Sequence, residues 1–119
     1  MKVVCIGDAF ITTEMMESGV RPYLNENDTL KVFFFGDPDK SMMRDIIKNI
    51  EARQFEGIEM PAGLYEEIVD ADLLVVHLCP IKRDLFEVAK KLKAVMTCRG
   101  GLENIEVDIA VTLIVKIAV

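Results

Sequence analysis

Residues 71–110 read ADLLVVHLCPIKRDLFEVAKKLKAVMTCRGGLENIEVDIA, and this stretch decides the fold. Residues 73–78 form an apolar run interrupted by His77, which is typical of a buried strand. Residues 82–91 have the apolar spacing of an amphipathic helix, and residues 93–98 are strand-like again. A strand, a helix and a second strand in this order predict two parallel strands covered by helices.

The same alternation extends to both ends of the chain. The apolar runs predict strands at residues 3–6, 30–35, 54–58, 73–78, 93–98 and 113–119. The helical patterns predict helices at residues 13–19, within 36–54, and at 62–71, 82–91 and 104–110. In the second of these helices, Asp37 is the predicted cap and Pro38 occupies the first helical position. We therefore predict a single α/β domain, a flavodoxin-like doubly wound parallel sheet.

Composition narrows the function classes. A chain of 119 residues, 51% hydrophobic and 29% charged, has the size and composition of one globular domain. Its net charge of −6 disfavours binding to a nucleic-acid backbone. The sequence has no basic amphipathic face of the kind that binds a membrane surface. The three cysteines, Cys5, Cys79 and Cys98, have no C-x-x-C spacing, so we expect them to be reduced and mostly buried, as in a cytoplasmic protein.

The loop after the predicted strand at 93–98 is the strongest candidate for a binding site. Ligands of doubly wound sheets bind at the carboxyl ends of the strands. Gly100 and Gly101 let the backbone turn sharply there and present amides to an anion such as a carboxylate. Asn104 is placed to cap a following short helix. The alternative is a tight turn that binds nothing.

The stretch resembles the D-isomer-specific 2-hydroxyacid dehydrogenases, the family that includes phosphoglycerate dehydrogenase. The matching features are Ala71-Asp72, Leu92-Lys93, Arg99, Gly100-Gly101, Asn104-Ile105 and Ala110. The loop is similar to the shorter Arg-Gly-Gly-x-x-Asn variant of the family, and Glu106 stands where an Asp is usual.

The resemblance implies the substrate-binding domain of an NAD-dependent enzyme whose substrate is a 2-hydroxy or 2-oxo acid. It implies that the backbone amides of Gly100, Gly101 and Leu102 hold the substrate carboxylate. Arg99 then either contacts the ligand or supports the loop. His77 either faces the cleft or is an ordinary hydrogen-bonded histidine at a strand end.

The nucleotide site of this family has no counterpart in the sequence. NAD is usually bound by a G-x-G-x-x-G turn, and this pattern does not occur in the chain. The family's catalytic Arg, Glu and His set cannot be matched either. We therefore expect residues 1–119 to be a substrate-binding domain without a nucleotide-binding domain and inactive alone, with NAD bound elsewhere. The alternative is a non-catalytic binding or oligomerisation module that keeps the fold.

Two further expectations concern partners and competing functions. The apolar C-terminal strand at 113–119 is expected to pair with another copy of the chain, giving a homo-oligomer. A phospho-receiver function is disfavoured, because Asp8 is single at its strand end and Asp37 and Asp39 are better explained as helix-start residues. One histidine and three scattered cysteines do not form a metal-site pattern.

Overall fold

One parallel sheet forms the centre of the molecule. The structure, a computed structural model, describes residues 1–99, 102–108 and 116–118. The strands are β1 (Lys2–Gly7), β2 (Thr29–Phe34), β3 (Leu73–Val76), β4 (Ala94–Thr97) and β5 (Lys116–Ala118). The helices are α1 (Thr13–Val20), α2 (Lys40–Glu51), α3 (Leu64–Ile68) and α4 (Arg83–Val88), with a 3₁₀ turn at Arg21–Tyr23. No helix in these ranges is long and apolar enough to span a bilayer.

The strand order is β2-β1-β3-β4-β5, and every neighbouring pair is parallel. This order is that of the flavodoxin-like folds, so the predicted fold class is confirmed. The chain runs outward from β1 to β2 and then crosses back to β3 on the other side of β1. The β1–β3 gap is therefore the point at which the strand order reverses.

The two faces of the sheet are covered by different helices. In β1, Val3 and Cys5 point to one face and pack in a cluster with Met16 of α1. Val4 and Ile6 point to the other face and belong to the larger cluster, which includes buried residues of α2, α3 and α4. The alternation of strand side chains thus gives a doubly wound sheet, as predicted.

The amino-terminal edge of the sheet closes with its own polar groups. The Asp72 carboxylate accepts the Lys2 amide at 2.7 Å, and the Asp72 amide donates to the Lys2 carbonyl at 2.8 Å. The Lys2 ammonium lies 2.6 Å from Asp70 and 3.0 Å from Glu67. Asp72 belongs to the Ala-Asp motif in the sequence. Its bonds to Lys2 therefore extend the β1–β3 ladder at the amino-terminal end of β3.

The strand predicted at residues 54–58 is wrong. This segment forms turns, because Arg53 ends α2 with φ 56° and Gly57 turns the chain again with φ 75°. The Gln54 amide returns to the Asn49 carbonyl at 2.8 Å, and this bond caps the helix rather than extending a sheet. A segment that turns at Arg53 and again at Gly57 does not have the extended backbone that pairing along a sheet requires.

Two local predictions also need correction. Asp39, and not Asp37, caps α2, since its Oδ1 accepts the amides of Ser41 and Met42 at 2.8 and 3.1 Å. The Asp37 carboxylate instead accepts the Asp39 amide at 2.8 Å, so Asp37 binds the residue that caps the helix. Cys98 is exposed, because the short β4 has ended before it.

Glycine at position 36 is required by its backbone and its surroundings. Gly36 has φ +85°, and a Cβ there would clash with the buried Met43 side chain. We expect Gly36→Ala to lower the free energy of unfolding by about 1–3 kcal/mol in urea denaturation, because left-handed backbone strain and a steric clash add.

Gly19→Ala is the matched control for this prediction. Gly19 lies in α1, and a Cβ there has no neighbour within 4 Å. The same substitution is expected to stabilise the protein by up to about 1 kcal/mol, the difference in helix propensity. Equal effects of the two substitutions would contradict the assignment of Gly36.

Candidate functional site

The carboxyl ends of β1 and β3 lie side by side and bring two polar side chains together. Asp8 follows β1, and His77 follows β3. The strands pair with Ile6 opposite Val76, so the next positions emerge from the sheet as neighbours. This is the reversal point of the strand order, where α/β sheets bind their ligands.

The Asp8 carboxylate is buried, and both of its oxygens make hydrogen bonds. Its Oδ2 lies 2.8 Å from Nδ1 of His77, and its Oδ1 accepts the amides of Phe10 and Ile11 at 2.8 and 2.9 Å. Burial alone would raise the pKa of Asp8. The hydrogen bonds from His77, Ile11 and Phe10 outweigh burial, so the pKa of Asp8 lies below its usual value. Asp8 is therefore an anion at neutral pH.

The negative charge of Asp8 determines that Nδ1 of the His77 imidazole carries a hydrogen. A carboxylate only accepts hydrogen bonds, so Nδ1 of His77 must carry a hydrogen to bond it at 2.8 Å. In the neutral ring Nε2 is then the acceptor. Among the described residues, the hydrogen bond of the ring is the one that Nδ1 makes to Asp8. The His77 side chain is 16% exposed.

Asn104 holds the loop that carries His77. Its buried side-chain amide donates to the carbonyls of His77 and Cys79 at 3.3 and 2.9 Å. The main-chain carbonyl of Asn104 accepts the Ile81 amide at 2.7 Å, and Ile81 and Ile105 form a parallel bridge. The loops after β3 and β4 are thereby tied together. The predicted capping role of Asn104 is therefore wrong, because its side chain binds carbonyls of another loop.

The helix predicted at residues 104–110 also begins later than expected. Residues 103–106 form a turn and the bridge, and a helical turn starts only at 107–108. Glu106, the position that departs from the family pattern, accepts the Arg83 amide at 3.3 Å and so caps α4. Residues 109 and 110 lie outside the described part of the chain.

Arg99 lies at the same edge, but its charge is already balanced. Its Nη2 is 3.7 Å from Glu51 of α2 and 3.6 Å from Glu103, and its side chain is 15% exposed. Both distances are ion pairs rather than hydrogen bonds, and Nη1 is buried without a described partner. Leu102 is half-buried and packs against the larger cluster of the core. Gly100 and Gly101, predicted to bind a carboxylate, lie outside the described residues.

The thiols of Cys79 and Cys98 have raised pKa values. Burial raises the pKa of Cys79 well above its usual value, and the nearby charge of Asp8 raises it further. Burial and Asp8 likewise raise the pKa of Cys98. Because the thiolate is the reactive form, these raised pKa values disfavour reaction of the two thiols at neutral pH.

A separate cleft of about 590 Å³ lies at the carboxyl end of β2. It is bounded by α2 and by residues 56–62, and its polar lining includes Asp37, Glu56 and Glu59. The Asp8–His77 pair is not part of it. Three carboxylates would repel a carboxylate ligand, so this cleft does not suit the acid that the sequence predicted.

The described residues do not fit a dinucleotide or a metal ion. A pyrophosphate at the β1 turn would need free backbone amides, but the Asp8 carboxylate already binds those of Phe10 and Ile11. Glycine at position 7 is required by the packing of the β1–α1 loop, because a Cβ there would lie 2.9 Å from the Ile11 carbonyl oxygen. No group of three or more metal-ligating side chains occurs in the described ranges.

The sequence patterns do not predict the contact between Asp8 and His77. Strand ends, His77 and Arg99 were all recognised as candidates, whereas Asp8 was weighed only as a possible phosphorylation site. A signal for the pair was present. An aspartate and a histidine that each follow a buried strand are expected to meet when those strands are neighbours. The strand order was therefore the missing information.

Comparisons with known proteins agree on the fold. No family model and no curated protein matches the sequence. Solved structures do match. The NAD⁺-bound 3-phosphoglycerate dehydrogenase of Entamoeba histolytica has a TM-score of 0.65 and 17% identity, and the match covers 98% of this chain and 32% of that one. A glyoxylate reductase from Paecilomyes thermophila has a TM-score of 0.55 and 21% identity, over 98% of this chain and 31% of that one. The chain thus spans about a third of these enzymes and shares the fold of that part.

The two hydrogen bonds of Asn104 are expected to contribute strongly to stability. Asn104→Ala leaves the buried Cys79 carbonyl and the His77 carbonyl without this donor. We expect a loss of about 2–4 kcal/mol in the free energy of unfolding, measured by urea denaturation. Asn27→Ala, at an exposed asparagine, should change it by less than about 0.5 kcal/mol. Similar losses in both variants would disprove the assigned role.

The stability of the protein should depend on the ionisation of Asp8. Because folding lowers the pKa of Asp8, the ionised group stabilises the fold above its unfolded pKa, near 3.8, and this contribution is lost as pH falls through the folded value. Wild type should therefore be more stable than Asp8→Asn at neutral pH, and this difference should shrink as pH falls below 3.8. A difference that does not change with pH would contradict this assignment.

Proposed function

We propose that residues 1–119 form the substrate-binding portion of an NAD-dependent D-2-hydroxyacid dehydrogenase similar to phosphoglycerate dehydrogenase. In this proposal the carboxyl edge of the sheet holds the carboxylate of a 2-hydroxy or 2-oxo acid. The observation that carries the proposal is the Asp8–His77 pair at the β1–β3 reversal point, with a partly exposed His77 side chain. The fold shared with a third of two such dehydrogenases supports it.

The two edges of the sheet differ in a way that supports this placement. At the amino edge, Lys2 and Asp72 satisfy each other's backbone groups and the nearby charges are paired. At the carboxyl edge, Nδ1 of His77 is paired with Asp8 and the His77 side chain is 16% exposed. The carboxyl edge of this pair of strands therefore presents a partly exposed polar side chain to a small ligand.

The residues proposed for the ligand follow from the sequence and from this geometry together. The amides of Gly100, Gly101 and Leu102 are proposed to hold the carboxylate, and His77 to contact the same acid. Arg99 is proposed to act as a support, because Glu51 and Glu103 already neutralise its charge. NAD would supply the hydride chemistry from another part of the enzyme, because the β1 turn of this chain does not fit it.

The test is an NMR titration of the ¹⁵N-labelled chain with glyoxylate, hydroxypyruvate and, separately, NADH. We expect amide shifts at residues 99–102 and at His77 with the acids and none with NADH. His77→Gln should weaken acid binding by about tenfold, which corresponds to the loss of about 1.4 kcal/mol of hydrogen bonding. Lys93→Gln, at the amino edge, should leave it unchanged.

The opposite results define the alternatives. If neither acid shifts the residues at the carboxyl edge, the proposal is wrong, and a non-catalytic module that keeps the fold becomes the better explanation. If NADH shifts the residues of the β1 turn, the assignment of the nucleotide to another part of the enzyme is wrong.

A further inference from the structure

The two faces of β4 are covered to different extents. β4 lies inside the sheet, between β3 and β5. Val95 and Thr97 are buried, and Val95 belongs to the larger cluster. Met96, which alternates with them along the strand, points to the face that carries α1 and is 46% exposed. Inner strands of a parallel sheet are normally buried on both faces, so among the described residues this face of β4 lacks a cover.

The helix α1 covers only part of that face. It lies over β1 and β2, and its Met16 packs with Val3 and Cys5 of β1 and with Val75 of β3. A helix is about 10 Å wide and strands lie about 4.8 Å apart, so one helix covers about two strands. The other described α-helices have their buried residues in the cluster on the opposite face. A strip of β3 and β4 beside α1 therefore remains open.

This open strip is defined by Leu73, Ala94 and Met96. Leu73 is paired with Ala94 and Val75 with Met96 in the register of β3 and β4, so these four side chains share a face. Leu73 and Ala94 are half-buried, and with Met1 they border a shallow cavity of about 390 Å³ at the amino end of the strip. An apolar surface that ends in exposed, adaptable methionine side chains is typical of an interaction site.

The shape of the open strip favours a helix over a second copy of the chain. Along one side of the strip α1 stands about 10 Å above the sheet, so the flat sheet of another copy would meet α1 before it reached the strip. The α1 helix of another copy would bring its exposed Glu14 and Glu17 onto Met96. One helix has the width of the strip, and four strand residues span about 13 Å, the length of about nine helical residues.

The charges at the two ends of the strip complement the dipole of such a helix. At the amino end, Lys93 is 80% exposed and lies 3.8 Å from Asp72, beyond hydrogen-bonding distance. At the carboxyl end, α1 carries the exposed Glu14 in its first turn. A helix is partly positive at its N-terminus and partly negative at its C-terminus. A helix that begins at the carboxyl edge therefore meets an opposite charge at each end.

We propose that the open strip binds the apolar face of one amphipathic α-helix, which runs from the carboxyl edge to the amino edge of the sheet. The bound helix lies beside α1, in the same direction, and buries Leu73, Ala94 and Met96. The proposal goes beyond the proposed function and does not depend on it, because the strip lies on a face of the sheet and the Asp8–His77 pair at its carboxyl edge.

An NMR titration of the full chain, labelled with ¹³C at the methionine methyl groups, tests the proposal with two synthetic peptides. Both are locked as helices by side-chain bridges and have the same composition and the same face of leucines. One carries its basic residues in the N-terminal half and its acidic residues in the C-terminal half, and the other carries them in reverse. The first should shift the Met96 methyl and bind about tenfold more tightly than the second. The methyl of Met42, which is 59% exposed on α2, should not shift.

Two matched variants locate the binding surface. Met96→Glu should weaken binding of the first peptide by at least about tenfold, because the new carboxylate would be buried without a partner. Met42→Glu, the same change at a methionine of similar exposure, should leave the affinity unchanged. If circular dichroism shows that Met96→Glu does not fold, Met96→Thr replaces it, because a β-branched polar residue suits a strand.

The remaining outcomes decide against the proposal. Failure of both helical peptides to bind would overturn it, as would binding that Met96→Glu and Met42→Glu weaken equally. Equal affinity for the two peptides would overturn the assigned direction of the helix. Sedimentation analysis addresses the competing occupant. Dimers that form in wild type and are lost in Met96→Glu would identify a second copy of the chain as the cover and would overturn the proposal.

Discussion

A buried negative charge is the constraint on which the carboxyl edge depends. Asp8 lies at the end of the central strand β1, where water cannot solvate its carboxylate. An unpaired charge in such a place is costly, so its oxygens must be met by donors. The amides of Phe10 and Ile11 and the ring of His77 are those donors, and the path of the β1–α1 loop and the position of the β3 end follow from them.

The fold was largely predictable because the sheet is buried on both faces over most of β1 and β3. Buried parallel strands appear in sequence as continuous apolar runs, and five such runs correspond to β1 to β5. The false strand at 54–58 shows the limit of this signal. A short apolar run has no period of its own, and only the left-handed Arg53 and Gly57 reveal that it turns.

The candidate site was less predictable because its contacts join residues far apart in sequence. Asp8 and His77 are separated by 69 positions, and Asn104 lies 27 beyond His77. Local patterns explain an Asn at a helix start, and that explanation was chosen for Asn104. The competing possibility, an amide that binds two carbonyls of another loop, depends on a strand order that no local pattern contains.

The single bridge between Ile81 and Ile105 has a consequence for dynamics. Around it, the Ile81 amide donates to Asn104, the Glu106 amide donates to Ile81, and Glu106 caps α4. Neither loop can leave the sheet edge without breaking the bonds of the other. The loops after β3 and β4 therefore form one cooperative opening unit, and their amides should exchange with solvent in a single event. A ligand held between them would slow the exchange of both loops at once.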